Sequence, residues 1–239
     1  MLQNKVNELY SDFISYRTYS RWLDEQGKRE TWFESVSRYG DYLSNRIPES
    51  LKADYKKAID LISKKQVMPS MRLLWSAGPA CEENNLAAFN CSYMSMDNKS
   101  KFGSMLYVLM HGVGVGYSVE RQYIGSLPAV PSNLVKEGGP FLIDDSKLGW
   151  KQAYDHCIKM LFDGYVPKFD YSLIRPKGAR LKTFGGRASG PEPLKELIDY
   201  TVRTFIGAAG RKLNSLEVHD ICCMIASCVV VGGVRRSAC

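Results

Sequence analysis

The chain has 239 residues, 45% of them hydrophobic and 24% charged, enough to bury a real core and inside the range of globular rather than disordered proteins. Its formal net charge of +7 favours anionic company, which nucleotides, nucleic acid or an acidic partner would satisfy equally well. No apolar run approaches the roughly 20 residues of a membrane span, and the opening MLQNKVNELYSDF lacks the apolar core of a secretory signal, so a cytoplasmic protein with no membrane association is expected.

Residues 1–65 read as helices. Val6, Leu9, Tyr10, Phe13 and Tyr16 fall on one face, then Phe33, Val36, Tyr39 and Leu43, then Leu51, Tyr55, Ile59 and Ile62. From Val67 the texture changes to short apolar segments broken by Gly, Pro and Asn with helices between them, the pattern of an α/β layer, which sets an expected boundary near residue 65. The run LAAFNCSYMSM at 86–96 alternates as a strand, Phe102, Leu106, Leu109 and Met110 form a helical stripe, and HGVGVGYSVE is a glycine-rich turn and strand. Residues 122–145 are irregular and proline-bearing, a loop or small insertion. Trp150, Ala153, Tyr154, Cys157, Ile158 and Leu161 mark the buried face of the next helix. After a basic loop, Pro191 and Pro193 suit the first turn of a helix with Leu194, Leu197, Ile198 and Val202 inside. Asn214 and Glu217 stand at capping-box spacing before a last helix that buries Val218, Ile221, Cys222, Ile225 and Val229 and stops at Gly232 and Gly233.

The seven cysteines (Cys81, Cys91, Cys157, Cys222, Cys223, Cys228 and Cys239) include no CxxC pair, so neither a disulfide framework nor a zinc ribbon is suggested and reduced thiols are expected. With only His111, His156 and His219 available, a metal site would gather ligands far apart in sequence, and no protein-ligated metal is expected. GVGVG does not fit GxGxxG, and no GxxxxGK[ST] loop occurs, which counts against ordinary dinucleotide and nucleoside triphosphatase folds.

The densest signal is RPKGARLKTFGGRASGPEPL at 175–194. Gly178, Gly185, Gly186 and Gly190 open backbone shapes closed to other residues, and Arg175, Lys177, Arg180, Lys182 and Arg187 supply donors for an anion ahead of a helix N-terminus. A solvated basic loop is the plain alternative. The run closely resembles the specificity loop of ribonucleotide reductases, in particular the adenosylcobalamin-dependent (class II) triphosphate-reductase branch, in which this loop lies between effector and substrate.

Four further segments resemble that family. In MPSMRLLWSAG, Met68 to Gly78, the resemblance makes Ser70 and Ser76 candidates for substrate phosphate or ribose contacts, although a turn with serine caps reads the same. In FNCSYM it makes Cys91 one half of the thiol pair that closes to a disulfide as the ribose 2′ carbon is reduced, with Asn90 beside the substrate. Cys81, Cys157, Cys222, Cys223 and Cys228 read as small buried hydrophobes. Gly114 and Gly116 on the glycine strand would let ribose and base approach closely; a strand bulge is the alternative. CVVVGGVRRSA at 228–238 matches a family signature whose Arg235 and Arg236 read as structural.

The family also needs an Asn-x-Cys-x-Glu motif for the radical cysteine and its proton-moving glutamate, and none occurs in these 239 residues. The resemblance therefore implies an α/β chain: an N-terminal helical region, 1–65, then at 66–239 the first half of a ten-stranded α/β reductase barrel. It implies the N-terminal half of an enzyme that makes deoxyribonucleotides by radical chemistry, inactive alone. The chain would be a fragment, a split-gene product, or an intein flank ending at Cys239. Adenosylcobalamin is the implied cofactor. The implied partners are a ribonucleotide substrate, a deoxynucleotide effector, the C-terminal half and a thioredoxin-like reductant. Two other readings stand beside it: a noncatalytic nucleotide-binding module, and nucleic-acid binding, which charge alone suggests and no motif supports.

Overall fold

The computed structural model describes residues 2–136, 138–179 and 187–231. Contacts divide the chain into two compact units, residues 1–89 and 90–239.

The first unit opens with α1, Leu2–Thr18, followed by a two-residue antiparallel hairpin, β1 (Trp22–Leu23) with β2 (Lys28–Arg29). Helix α2, Trp32–Ser44, starts at a capping box: Thr31 accepts from the Glu34 amide while the Glu34 carboxylate accepts from the Thr31 amide. Helix α3 is Lys52–Ser63, and two short helices follow, α4 (Met71–Ser76) and α5 (Pro79–Glu83). Tyr19, Val36, Tyr39, Ile62, Leu74 and Ala77 form the core of this unit. The stripe Val6, Leu9, Tyr10, Phe13 and Tyr16 does lie on a helix, but all five side chains are exposed, as is Phe33. It is Ile14, on another side of α1, that packs on this core. Periodicity finds the apolar side of a helix without saying what covers it.

A buried ion network fixes α4. Glu30, 3% exposed, accepts from Arg38 Nε (2.7 Å) and Nη2 (2.9 Å), from the Arg21 amide (3.0 Å) and from Ser35 Oγ (3.0 Å). Arg38 Nη1 then reaches the carbonyls of Leu74 (3.1 Å) and Ala77 (2.9 Å), and Arg21 reaches that of Trp75 (3.0 Å). Burial opposes the Glu30 charge, yet these hydrogen bonds outweigh it and hold the carboxyl below its ordinary range. Burial, with Arg38 beside it, lowers Arg21 to about 10.

The second unit begins with a strand–helix–strand crossover: β3 (Cys91–Ser95), α6 (Ser100–Met110) and β4 (Gly114–Ser118). The strands pair in parallel, as a helical crossover requires, with Cys91 opposite Gly114, Tyr93 opposite Gly116 and Ser95 opposite Ser118. Gly112, at φ 72°, makes the turn from α6 into β4. Residues 122–145, expected to be a loop or small insertion, hold most of the short helix α7 (Arg121–Ile124) and the strands β5 (Val135–Lys136) and β6 (Phe141–Leu142). After α8, Lys147–Phe162, come β7 (Tyr165–Val166) and β8 (Phe169–Asp170), which pair in parallel with β5 and β6 respectively. Ser146 caps α8 through the Gly149 amide, which draws the turn so tight that a Cβ on Gly149 would stand 2.4 Å from the Asp144 carbonyl oxygen.

Helices α9 (Glu192–Gly207) and α10 (Ser215–Val231) complete the unit. Pro191 is the N-cap of α9 and Pro193 sits in its first turn. The expected box before α10 is present, with the Asn214 amide on Glu217 Oε2 and the Glu217 amide on Asn214 Oδ1, both 2.9 Å. The core takes Phe102, Leu106 and Leu109 from α6, Tyr154, Cys157 and Leu161 from α8, Leu194, Leu197 and Phe205 from α9, and Val218, Ile221 and Ile225 from α10.

Candidate functional site

The parallel register decides which residues share a face. Side chains alternate along each strand, so Cys91 and Tyr93 lie on the face of Gly114 and Gly116, while Val115, 1% exposed, and its neighbour Tyr117 turn towards the helical core. Cys91 is a free, exposed thiol at the first position of β3. Asn90, also exposed, holds the mouth of the pair through its carbonyl, which accepts from the Gly114 amide at 2.8 Å. Ser92 Oγ donates to the Gly114 carbonyl at 3.1 Å and pins the strands beneath Cys91. A Cβ on Gly116 would meet only the Ser92 carbonyl oxygen at 3.7 Å and Tyr93 Cδ2 at 3.8 Å, ordinary contacts. The chain's own packing therefore does not demand glycine there, and the bare backbone faces outward. Cys91, Gly114 and Gly116 thus share one strand face, and the Asn90 carbonyl borders it at the start of the pair.

The serines lie in the first unit. Ser70 is exposed and is the N-cap of α4, its oxygen accepting from the Leu73 amide at 3.3 Å. Ser76 is fully buried; its hydroxyl donates to the Arg72 carbonyl at 2.8 Å and accepts from Cys81 Sγ at 3.2 Å.

Of the basic loop, Arg180, Lys182, Gly185 and Gly186 lie outside the described residues, as do Gly232, Gly233, Arg235, Arg236 and Cys239. The loop's two ends come together: the Gly178 amide donates to the Ala188 carbonyl (2.8 Å) and the Ala188 amide to that of Ala179 (2.7 Å). Arg187 Nη1 donates to the Gly178 carbonyl at 3.0 Å, Lys177 is exposed, and Arg175 is engaged by Asp145 at 2.6 Å. Gly190, at φ 81°, leaves space that Glu192 Oε2 and the Lys177 amide take, so this glycine is structural.

The remaining thiols divide by burial. Burial, with Asp199 nearby, pushes Cys157 far above the usual thiol range, and burial with Glu196 nearby raises Cys228 to about 12. Cys81 and Cys222 are buried. Cys223, expected to be a buried hydrophobe, is exposed and stands 3.6 Å from Tyr117 Oη and 3.8 Å from His219 Nε2. The helix geometry carries the signal: Cys222 falls on the stripe of Val218, Ile225 and Val229, whereas Cys223 aligns with His219, four residues earlier. Among the described residues no group of three or more His, Cys, Asp and Glu side chains is placed to hold a metal ion, and no helix is long and apolar enough to cross a membrane.

Two family models match the chain, the ribonucleotide reductase alpha domain at residues 2–79 and the insertion domain of B12-dependent ribonucleotide reductase at 136–204. Among curated proteins, the chain is 31% identical to the adenosylcobalamin-dependent ribonucleoside-triphosphate reductase of Euglena gracilis, over 95% of this chain and 34% of that protein. It is 28% identical to the enzyme of the same name from Lactobacillus gasseri, over 95% of this chain and 40% of that protein. The crystal structure of a B12-dependent (class II) ribonucleotide reductase superposes with a TM-score of 0.80 at 24% identity, over 91% of this chain and 40% of that one. The fold is thus shared with that structure, and the chain spans between a third and two fifths of the length of these relatives.

Proposed function

We propose that this chain, which belongs to the adenosylcobalamin-dependent (class II) ribonucleotide reductases, forms the N-terminal part of an enzyme that reduces ribonucleotides to deoxyribonucleotides. The relatives' names favour ribonucleoside triphosphates as substrate, and residues 66–239 would build the first half of its barrel. The observation that carries the reading is Cys91, an exposed thiol on the same open face as Gly114 and Gly116.

Replacing the 2′ hydroxyl of the ribose by hydrogen takes two electrons and releases water. Two thiols supply those electrons by closing to a disulfide, so Cys91 needs a second cysteine, supplied by the rest of the enzyme, and a thioredoxin-like dithiol to reopen the bond. Asn90 and Ser92 hold the strand ends so that Cys91 stands over the bare backbone of β4, where a sugar can lie without meeting a side chain. Ser70 offers an exposed hydroxyl to phosphate or ribose, and Ser76 acts through the placement of its backbone. Lys177 and Arg187, with Arg180 and Lys182, would read a deoxynucleotide effector. Adenosylcobalamin supplies the radical that starts the chemistry when bound, and no described residue of this chain is assigned to holding it. Turnover by the 239 residues alone is not expected, because they contain no Asn-x-Cys-x-Glu motif. A noncatalytic nucleotide-binding module is the weaker reading, since the relatives named above are enzymes. The cytoplasm, with its nucleotide pool and dithiol reductants, is the setting this chemistry implies.

The test is deoxyribonucleotide formation with adenosylcobalamin, dithiol and an effector, by this chain mixed with a polypeptide carrying the remaining two thirds of a relative. Activity only in the mixture, abolished by Cys91→Ser, is the expected result. Nucleotide binding without activity in any mixture would favour the noncatalytic module.

A further inference from the structure

The face that presents Cys91 also presents Tyr93, a side chain that neither the core nor the redox chemistry uses. We propose that Tyr93 is the platform on which the base of the bound ribonucleotide stacks; the proposal rests on the reading of this face as the substrate surface. Tyr93 is 66% exposed, while its neighbours on the opposite face, Met94 and Val115, pack into or against the core. Its partner across the ladder is Gly116, so no cross-strand side chain lies over the ring, whose Cδ2 is 3.8 Å from where a Gly116 Cβ would stand. No hydrogen bond among the described residues ties its hydroxyl to the fold. Two steps along a strand place Tyr93 about 6.6 Å from Cys91 on the same side. A ribose whose 2′ carbon sits over the Cys91 sulfur carries its base a few ångströms to one side, within reach of that ring.

The chemistry suits a site that takes several bases. Every nucleobase has a π face, and stacking on an aromatic ring is tolerant of base identity. A tyrosine platform would accept purines and pyrimidines alike and leave discrimination to a separate element, the part proposed for the 175–190 loop.

The experiment follows alkylation of Cys91 by iodoacetamide, mapped by peptide mass, while ATP, CTP or inorganic tripolyphosphate is titrated into the parent chain, Tyr93→Ala and Tyr93→Phe. Cys223, exposed on α10, is the internal reference. Tyr93→Ala is expected to raise the half-protecting concentration of both nucleotides about tenfold, and Tyr93→Phe to keep it within about twofold. The tripolyphosphate titration, which has no base to stack, should be the same in all three. An unfolding midpoint unchanged by either substitution shows that the exposed ring was not holding the fold. Equal protection of the parent and Tyr93→Ala would overturn the platform and leave the substrate-surface reading standing, whereas no protection of the parent by either nucleotide would remove that reading and the platform with it.

Discussion

Two segments with the same family likeness, 68–78 and 90–118, are built on opposite plans. In the first, the polar groups are turned inward: Ser76 is buried and bonded at both its proton and its lone pair, Ser70 caps α4, and the carbonyls of Leu74, Trp75 and Ala77 receive Arg38 and Arg21. In the second, Cys91, Tyr93 and Gly116 are left exposed on one face of a strand pair whose other face packs against the core. The difference separates a segment whose shape matters from one whose surface matters. A serine in a motif can serve the fold as readily as the ligand.

The largest test of this contrast is Glu30→Ala. It leaves Arg38 and Arg21 without their carboxylate in a buried setting and should cost about 3–5 kcal/mol in denaturant unfolding, with α4 losing its hold. Next come two glycines of opposite meaning. Gly149→Ala forces a Cβ to 2.4 Å from backbone oxygen and should cost about 1–3 kcal/mol. Gly116→Ala meets only ordinary contacts, so it should leave the unfolding midpoint in place while weakening nucleotide protection of Cys91. A smaller effect, about 1 kcal/mol, is expected for Ser76→Ala, which removes two internal hydrogen bonds; a Ser76→Ala chain of full stability would contradict the fold-serving role.

Glu30 also predicts how acid acts on the first unit. Its folded carboxyl is held below the ordinary value of 4.5, so between the two values the unfolded chain binds the proton and the folded one does not. The contribution of Glu30 to stability is therefore complete above about pH 4.5 and lost as the pH falls through the folded value. Glu30→Gln should flatten that part of a stability profile measured by denaturant unfolding from pH 3 to 7. A profile that keeps its full acid slope in Glu30→Gln would place the effect elsewhere. Thiol labelling gives the mildest probe: Cys91 and Cys223 should react in the folded chain, and Cys157, Cys222 and Cys228 only on unfolding.

Much of this architecture can be read from sequence because its signals are local and chemical. The box of Asn214 and Glu217 is a matter of spacing, and the stripe from Val218 to Val229 needs only helical periodicity. The fate of Val6, Leu9, Tyr10, Phe13 and Tyr16 could not be read in the same way, since the pattern states which side is apolar and not whether anything packs on it. Strands β5 to β8 are two residues long, too short for alternation to show. Cys91, Gly114 and Gly116 stand out in the chain by their motif, but Tyr93, in the same motif, needed the parallel register to reveal whose face it shares. The internal use of Ser76 depends on Arg72 and Cys81, and no pattern within MPSMRLLWSAG distinguishes a bonded hydroxyl from a free one.

Whether Cys91 gives up electrons to the ribose is decided by a single turnover without external reductant. In the reconstituted enzyme, deoxyribonucleotide should form in a single turnover, with Cys91 found by peptide mapping in a disulfide with a cysteine of the complementing polypeptide. Product formed while Cys91 remains a free thiol would contradict it.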